Sequence, residues 1–226
     1  MTLRLQPKAH WTPRYVRDRL ALAFWQRRNP DAPWLVTGAI EFLGQWLRPT
    51  DLLVEFGSGR STVWFAERVG RVVSIEHDRA WHARVTQRLV ERGLTNVSYK
   101  IVDDRLDPGR PVNENQLEHP EKYLALAEES MTALGPNARA DVILVDGCSR
   151  DHCAQWALTH VKPGGLIVID NANWYLPVHS RSPASVPPDG NSPTILWRDY
   201  TARTASWRRV WYSNGVTDTA IFFSAR

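Results

Sequence analysis

The sequence predicts an α/β fold: a doubly wound, mostly parallel sheet of seven strands, closed by an antiparallel C-terminal hairpin and preceded by a helical extension. Three observations predict it. The run Leu52–Phe56 breaks at Gly57-Ser58-Gly59 and leads into the periodic segment Val63–Val69, which reads as strand, tight turn and helix. From there to residue 170, apolar β-rich runs alternate with helical stretches, the mark of a parallel sheet. Finally, Ser206–Tyr212 and Thr217–Phe223 flank Ser213-Asn214-Gly215, whose Asn-Gly pair is a hairpin signal.

The 226 residues suffice for one well-buried domain, and 43% hydrophobic with 23% charged residues describe an ordinary globular chain. No apolar run approaches the roughly 18 residues of a membrane span. The opening MTLRLQPKAHW lacks the apolar core of a signal peptide, so a cytoplasmic protein is expected. Cys148 and Cys153, without a CxxC or His-x-His partner, predict neither a zinc site nor a disulfide framework.

Taken in order, residues 1–50 form the N-terminal helical extension or cap and 51–226 the sheet domain. Thr12-Pro13 reads as N-cap and first position of a helix ending near Arg28, with Val16, Leu20 and Phe24 on one stripe and Arg14, Arg17 and Arg28 toward water. Residues 1–30 carry seven Lys/Arg against Asp18 alone, so the basic balance belongs to this extension. Such charge is compatible with a nucleic-acid or membrane-surface contact, but a solvated helix face is its commoner origin and no aromatic-basic RNA platform accompanies it. After Asn29-Pro30, a second helix within Trp34–Leu47 carries Ile40, Leu43, Trp46 and Leu47.

In the turn itself, Gly57 and Gly59 permit close backbone approach, Glu55 stands before them where it would meet a cation, and Ser61 and Thr62 open the helix. Thr62 occupies the place where a dinucleotide fingerprint wants a third small residue. The stretch Glu55-Phe56-Gly57-Ser58-Gly59 instead resembles motif I of class I S-adenosylmethionine-dependent methyltransferases. That resemblance implies a Rossmann-like methyltransferase fold and a cofactor site built from Glu55, Gly57, Ser58, Gly59, Ser61 and Thr62, joined from later strand ends by Glu76, His77, Asp103 or Asp104, and Asp146.

The second strand, Val72–Glu76, ends in an acid 21 residues beyond Glu55, a spacing at which a carboxylate can accept both ribose hydroxyls; His77 follows it. A helix from Arg79 to about Arg92 stops at Gly93, and the third strand Val97–Val102 is closed by Asp103-Asp104, one of which, by the resemblance, meets the adenine amino group. Next come a surface excursion over Leu106–His119 and a helix over Glu121–Leu134.

The fourth strand, Asp141–Asp146, is a continuous apolar run, as a central parallel strand should be. It leads into Asp146-Gly147-Cys148-Ser149-Arg150, where amino-directed methyltransferases would carry an Asn/Asp-Pro-Pro-aromatic tetrad; this stretch instead resembles bacterial small-molecule O-methyltransferases. A helix from Asp151 to His160 follows, then the Lys162-Pro163-Gly164-Gly165 turn and the fifth strand Leu166–Asp170. The resemblance spans roughly Leu52–Tyr175.

Residues 171–200, with five prolines, are too long for an ordinary connection and predict a lid-like insertion, with Trp174, Tyr175, His179 and Arg181 as acceptor contacts beside Trp11, Tyr15 and Trp34. Asp146, Asp170 and Asn171 are similar to the acid, acid-amide set that holds magnesium in catechol-type O-methyltransferases, which implies a metal set of these three residues. The lysine of that family is replaced here by Ser149 and, one place later, Arg150, too basic for a general base. Asp146, Asp170, His152 and His179 are therefore the catalytic candidates. Together these readings imply methyl transfer from S-adenosylmethionine to an oxygen of a small-molecule acceptor. Two others compete: a nicotinamide-dependent oxidoreductase, opposed by Thr62, the Lys-Pro-Gly-Gly turn and the final hairpin, and a non-catalytic binding module that uses its basic N-terminal helix on RNA or a partner.

Overall fold

The computed structural model describes residues 10–102 and 120–225. Strands β1 (Leu52–Phe56), β2 (Arg71–Glu76), β3 (Val97–Ile101), β4 (Ala140–Val145), β5 (Val161–Asp170), β6 (Arg208–Ser213) and β7 (Asp218–Phe223) stand in the order β3-β2-β1-β4-β5-β7-β6. The first five are parallel, and β7 pairs antiparallel with both β5 and β6. Strand order reverses between β1 and β4, the switch point outside which open α/β sheets place their ligands.

The central strands read as unbroken apolar runs because both faces of the sheet are covered. Val54, Phe56, Ile143, Val145, Ile167 and Ile169 face α5 (Pro120–Thr132), α6 (Arg150–His160) and α7 (Ile195–Arg203). Their neighbours Leu53, Val142, Leu144, Leu166 and Val168 face α2 (Thr37–Trp46), α3 (Arg60–Ala66) and α4 (Arg79–Glu91). Cys148 and Cys153 are free and buried.

The helix α1 (Pro13–Arg28) starts as its sequence predicts, with the Thr12 hydroxyl accepting from the Tyr15 N–H at 3.2 Å and Pro13 at the first position. Its packing differs from expectation. Val16, Leu20 and Phe24 are 44%, 64% and 57% exposed, and no residue of α1 is buried. The stripe turned toward the body is Tyr15, Arg19, Leu22 and Gln26, which roofs an opening above the strand ends. A helix laid over a polar opening does not recruit its apolar stripe, so periodicity alone names the wrong side.

One further element differs from expectation. β5 begins at Val161, so the Lys-Pro-Gly-Gly turn lies inside the strand, where pairing with β4 shifts register and Lys162 Nζ holds both Asp141 oxygens at 2.8 Å. Residues 171–200, the expected lid, are anchored at Asn173. Asn173 is fully buried, donates to Pro183 O and Ser185 Oγ at 3.1 Å, and accepts from the Asp218 N–H at 3.2 Å. Its last part is α7, whose Trp197 and Tyr200 are buried against the sheet because their i, i+3 spacing puts both on one face.

Candidate active site

The backbone turns at Gly57, whose φ is +87°, as β1 ends, and its N–H donates to Ile75 O at 2.9 Å. A Cβ there would lie 2.6 Å from the Gly147 nitrogen and 2.9 Å from the Asp146 carbonyl carbon. Glycine at 57 is therefore demanded by the chain leaving β4, which sequence reasoning had credited to ligand approach. At Gly59 an added Cβ would meet nothing nearer than 3.8 Å, so that position alone keeps room beside the loop.

Glu55 lies beneath the turn and is fully buried. Its Oε2 accepts from Thr62 Oγ1 at 2.6 Å and Ser74 Oγ at 2.7 Å, and Thr62 Oγ1 in turn accepts from the Gly59 N–H at 2.9 Å. Oε1 has no partner. Burial pushes the carboxyl up to about 7, against the opposing pull of the Ser61, Thr62 and Ser74 hydroxyls. An orphaned carboxylate oxygen below a glycine turn fits the positively charged amino group of a cofactor.

Glu76 closes β2 and is 2% exposed. Its Oε2 accepts from Ser58 N and Oγ at 2.9 and 2.6 Å, and its Oε1 from the N–H groups of His77 and Asp78 at 2.7 and 2.9 Å. His77 Nδ1 lies 2.9 Å from the same Oε1. Although burial opposes it, these hydrogen bonds hold the carboxyl down at about 2. The folded value lies below the unfolded one, so this stabilisation is complete above pH about 4.5 and is lost as pH falls toward 2. Ser58 is gripped from other sides by Tyr99 Oη at 2.6 Å and by Trp81, whose Nε1 donates to Ser58 O at 2.7 Å.

The second half of the site lies at the ends of β4 and β5. Ser149 and Asn171 both adopt left-handed backbone, with φ of 46° and 49°, and bring Arg150 back under the two strand ends. Arg150 Nη2 donates to Asp146 Oδ1 at 2.6 Å, Nη1 to Asp170 O at 2.7 Å and Asn171 Oδ1 at 2.8 Å, and Nε to Gly147 O at 2.9 Å. Asn171 Nδ2 donates to Thr217 Oγ1 at 2.6 Å, which fixes its amide so that Oδ1 faces the guanidinium. Asp170 is 5% exposed and accepts from Thr219 Oγ1 at 3.0 Å, across a β5–β7 register pair. Burial, followed by the nearby Asp146 carboxylate, raises Asp170 to about 7.

Asp146, Arg150, Asp170 and Asn171 line a cavity of about 620 Å³, roofed by the Tyr15 stripe of α1 and walled by Trp34 and Trp174. Asp146 thus lies with Asp170 and Asn171 in the lining of one cavity. His152 and His179 are not among the lining residues, nor are Trp11, Tyr175 or Arg181. Tyr175 instead stacks on Trp197, 4.9 Å between ring centroids. Asp103 and Asp104 lie outside the described residues. Sequence reasoning missed Tyr99, Trp81 and Gly147 as supports of the turn and Arg19 in the roof. Of these, only Arg19 had a local signal, its i+4 spacing from Tyr15.

The three oxygen-bearing residues implied for magnesium do not fit a divalent ion as they stand. Two of the side-chain oxygens, Asp146 Oδ1 and Asn171 Oδ1, already take hydrogen bonds from one guanidinium, which also holds the main-chain carbonyl of Asp170.

The sequence profile of a family described as a methyltransferase domain matches residues 54–172. Solved structures share the fold. A methyltransferase from Geobacter sulfurreducens superposes with a TM-score of 0.54 at 16% identity, covering 98% of this chain and 92% of that one. A candidate caffeoyl-CoA O-methyltransferase from Staphylococcus aureus gives 0.53 at 16% identity over 91% of each chain. A methyltransferase-like protein from Silicibacter pomeroyi gives 0.50 at 20% identity, covering 82% and 84%. A comparison with curated proteins gives no match.

Proposed function

The chain belongs to the methyltransferase-domain family, and from that premise we propose that it transfers a methyl group from S-adenosylmethionine to a hydroxyl oxygen of a small molecule. The observation that carries the choice of oxygen is Asp170: a buried carboxylate raised to about 7, facing a 620 Å³ cavity at the switch point of the sheet. A base poised near neutrality suits removal of a hydroxyl proton. The residues after β4, Asp146-Gly147-Cys148-Ser149, lack the tetrad of amino-directed enzymes, which supports the same choice.

Bound S-adenosylmethionine supplies a methyl group activated by its positively charged sulfur, which leaves with the electron pair of the broken C–S bond. Gly59 and Ser58 of the turn, Glu55 and Thr62 beneath it, and Glu76 with His77 at the end of β2 are the residues that would hold it. Asp170 accepts the proton of the acceptor hydroxyl, and the freed oxygen pair forms the new bond to carbon. Tyr15, Trp34 and Trp174 give the cavity aromatic surface against which an acceptor can pack.

Glu76→Ala is expected to weaken S-adenosylhomocysteine binding by about 1–3 kcal/mol, because Ser58 loses the carboxylate that fixes it. Calorimetric titration measures this; an unchanged Kd would remove Glu76 from the cofactor site. The reading as a whole is tested by offering the full chain methyl-labelled S-adenosylmethionine with parallel sets of hydroxyl, amine and thiol acceptors and with RNA. Label on hydroxyl oxygen is the expected result. Label confined to nitrogen, sulfur or RNA would sink it.

A further inference from the structure

We propose that the guanidinium of Arg150 is the resident cation of this site, taking the place a divalent ion would hold beside Asp146, Asp170 and Asn171, so that the chain neither binds nor requires such an ion. The inference rests on reading the cavity as the acceptor site. Its carrier is geometric. Four N–H groups of Arg150 reach four oxygens at 2.6 to 2.9 Å: Gly147 O, Asp146 Oδ1, Asp170 O and Asn171 Oδ1. Guanidinium has five donors in a rigid fork, so one N–H on Nη2 is left, and it has no protein partner among the described residues. Arg150 is only 10% exposed as a side chain, yet it lines the cavity.

The surroundings are built to keep it there. Asn171 is fixed through Thr217, and Asp146 Oδ1 accepts a second bond from the Gly147 N–H at 2.7 Å. A divalent ion bound through Asp146 Oδ1 and Asn171 Oδ1 would need them at about 2.0–2.6 Å, in direct competition with a permanent positive charge already bonded to both. Arginine stays protonated at every working pH, so the competition does not relax. Placed at the wall of the cavity, its free N–H can donate to an acceptor oxygen as negative charge develops there. A magnesium ion in such a site would do the same by coordination.

Two arms test the proposal on the full chain. The first needs no acceptor: Mn²⁺ alone, titrated calorimetrically with and without S-adenosylhomocysteine, is expected to give no heat of binding. Binding that disappears in Asp170→Ala would overturn the proposal. The second uses the hydroxyl acceptor found by labelling. EDTA should leave transfer unchanged, and Arg150→Ala should lower it about 100- to 1,000-fold. S-adenosylhomocysteine binding should persist in that variant, and added guanidinium ion should restore part of the rate. Undiminished transfer by Arg150→Ala, or loss in EDTA with recovery on Mg²⁺, would overturn it. If Arg150→Ala does not fold, Arg150→Lys takes its place, with a fall of at least about tenfold expected, because a point charge cannot span the four oxygens. A chain that methylates no hydroxyl would sink the functional reading while leaving the Mn²⁺ result to stand on its own.

Discussion

Gly57→Ala is expected to destabilise the protein by about 2–5 kcal/mol, enough to unfold a marginal domain. Two costs combine. A non-glycine residue held at φ +87° carries roughly 1–2 kcal/mol of left-handed strain, and a forced overlap in a packed interior adds about 1–3 kcal/mol. The overlap has no soft way out. The new methyl would meet the Gly147 nitrogen at 2.6 Å, its Cα at 2.7 Å and the Asp146 carbonyl carbon at 2.9 Å, all of them backbone. Gly147 is bound reciprocally, since its own Cβ would fall 2.9 Å from Gly57 Cα at φ +69°. The comparison variant is Gly59→Ala. There φ is 171°, an extended value any residue adopts, and the nearest atom is Trp81 at 3.8 Å, so stability should hold within about 1 kcal/mol while cofactor affinity falls. Urea unfolding followed by circular dichroism, beside calorimetry with S-adenosylhomocysteine, separates the two. Equal midpoints for Gly57→Ala and wild type would mean that the β1 and β4 loops part easily.

The pair of glycines also shows where sequence reading stops. Strands β1, β2, β4 and β5 were legible because burial on both faces leaves a continuous apolar run, and the hairpin because Asn214-Gly215 marks its turn. Glycines at 57 and 59 look alike in sequence, yet one is fixed by a residue 90 positions away and the other by open space. Asp146, Asp170 and Asn171 could be picked out because each ends or follows a strand at the same sheet edge. That Arg150 sits among them depends on two left-handed residues, Ser149 and Asn171, which no local propensity announces. His152 and His179 were chosen for their chemistry alone. His152 lies on α6 and His179 in the loop tied through Asn173, and neither lines the cavity. The roof of α1 was misread for a similar reason: a helix over an opening presents a polar stripe, while hydrophobic periodicity points to the other side.

Asp170→Asn is expected to lower kcat/KM for a hydroxyl acceptor by about 100- to 10,000-fold while leaving S-adenosylhomocysteine affinity nearly unchanged. Asparagine keeps the shape and can still accept from Thr219 Oγ1, now at 3.0 Å from Asp170 Oδ1, but it cannot take a proton. The wild-type pH profile carries the second half of the prediction. Burial and the Asp146 carboxylate raise Asp170, Arg150 opposes them, and the balance is about 7, so kcat/KM should climb with pH through that value and level off above it. Stability runs the other way. A carboxyl whose folded pKa is raised above 3.8 contributes stability below that value, which is lost as pH rises through about 7. The variant has no such group to ionise, so at pH 8 it should melt above wild type, whereas at pH 5 the gap should close. Lost activity together with gained stability at alkaline pH is what a buried base predicts, since the charge the reaction needs is one the fold pays for. An Asp170→Asn enzyme with the wild-type rate would remove Asp170 from proton transfer. A profile flat between pH 5.5 and 8.5, roughly 1.5 units either side of 7, would mean that its carboxyl does not govern the rate in this range.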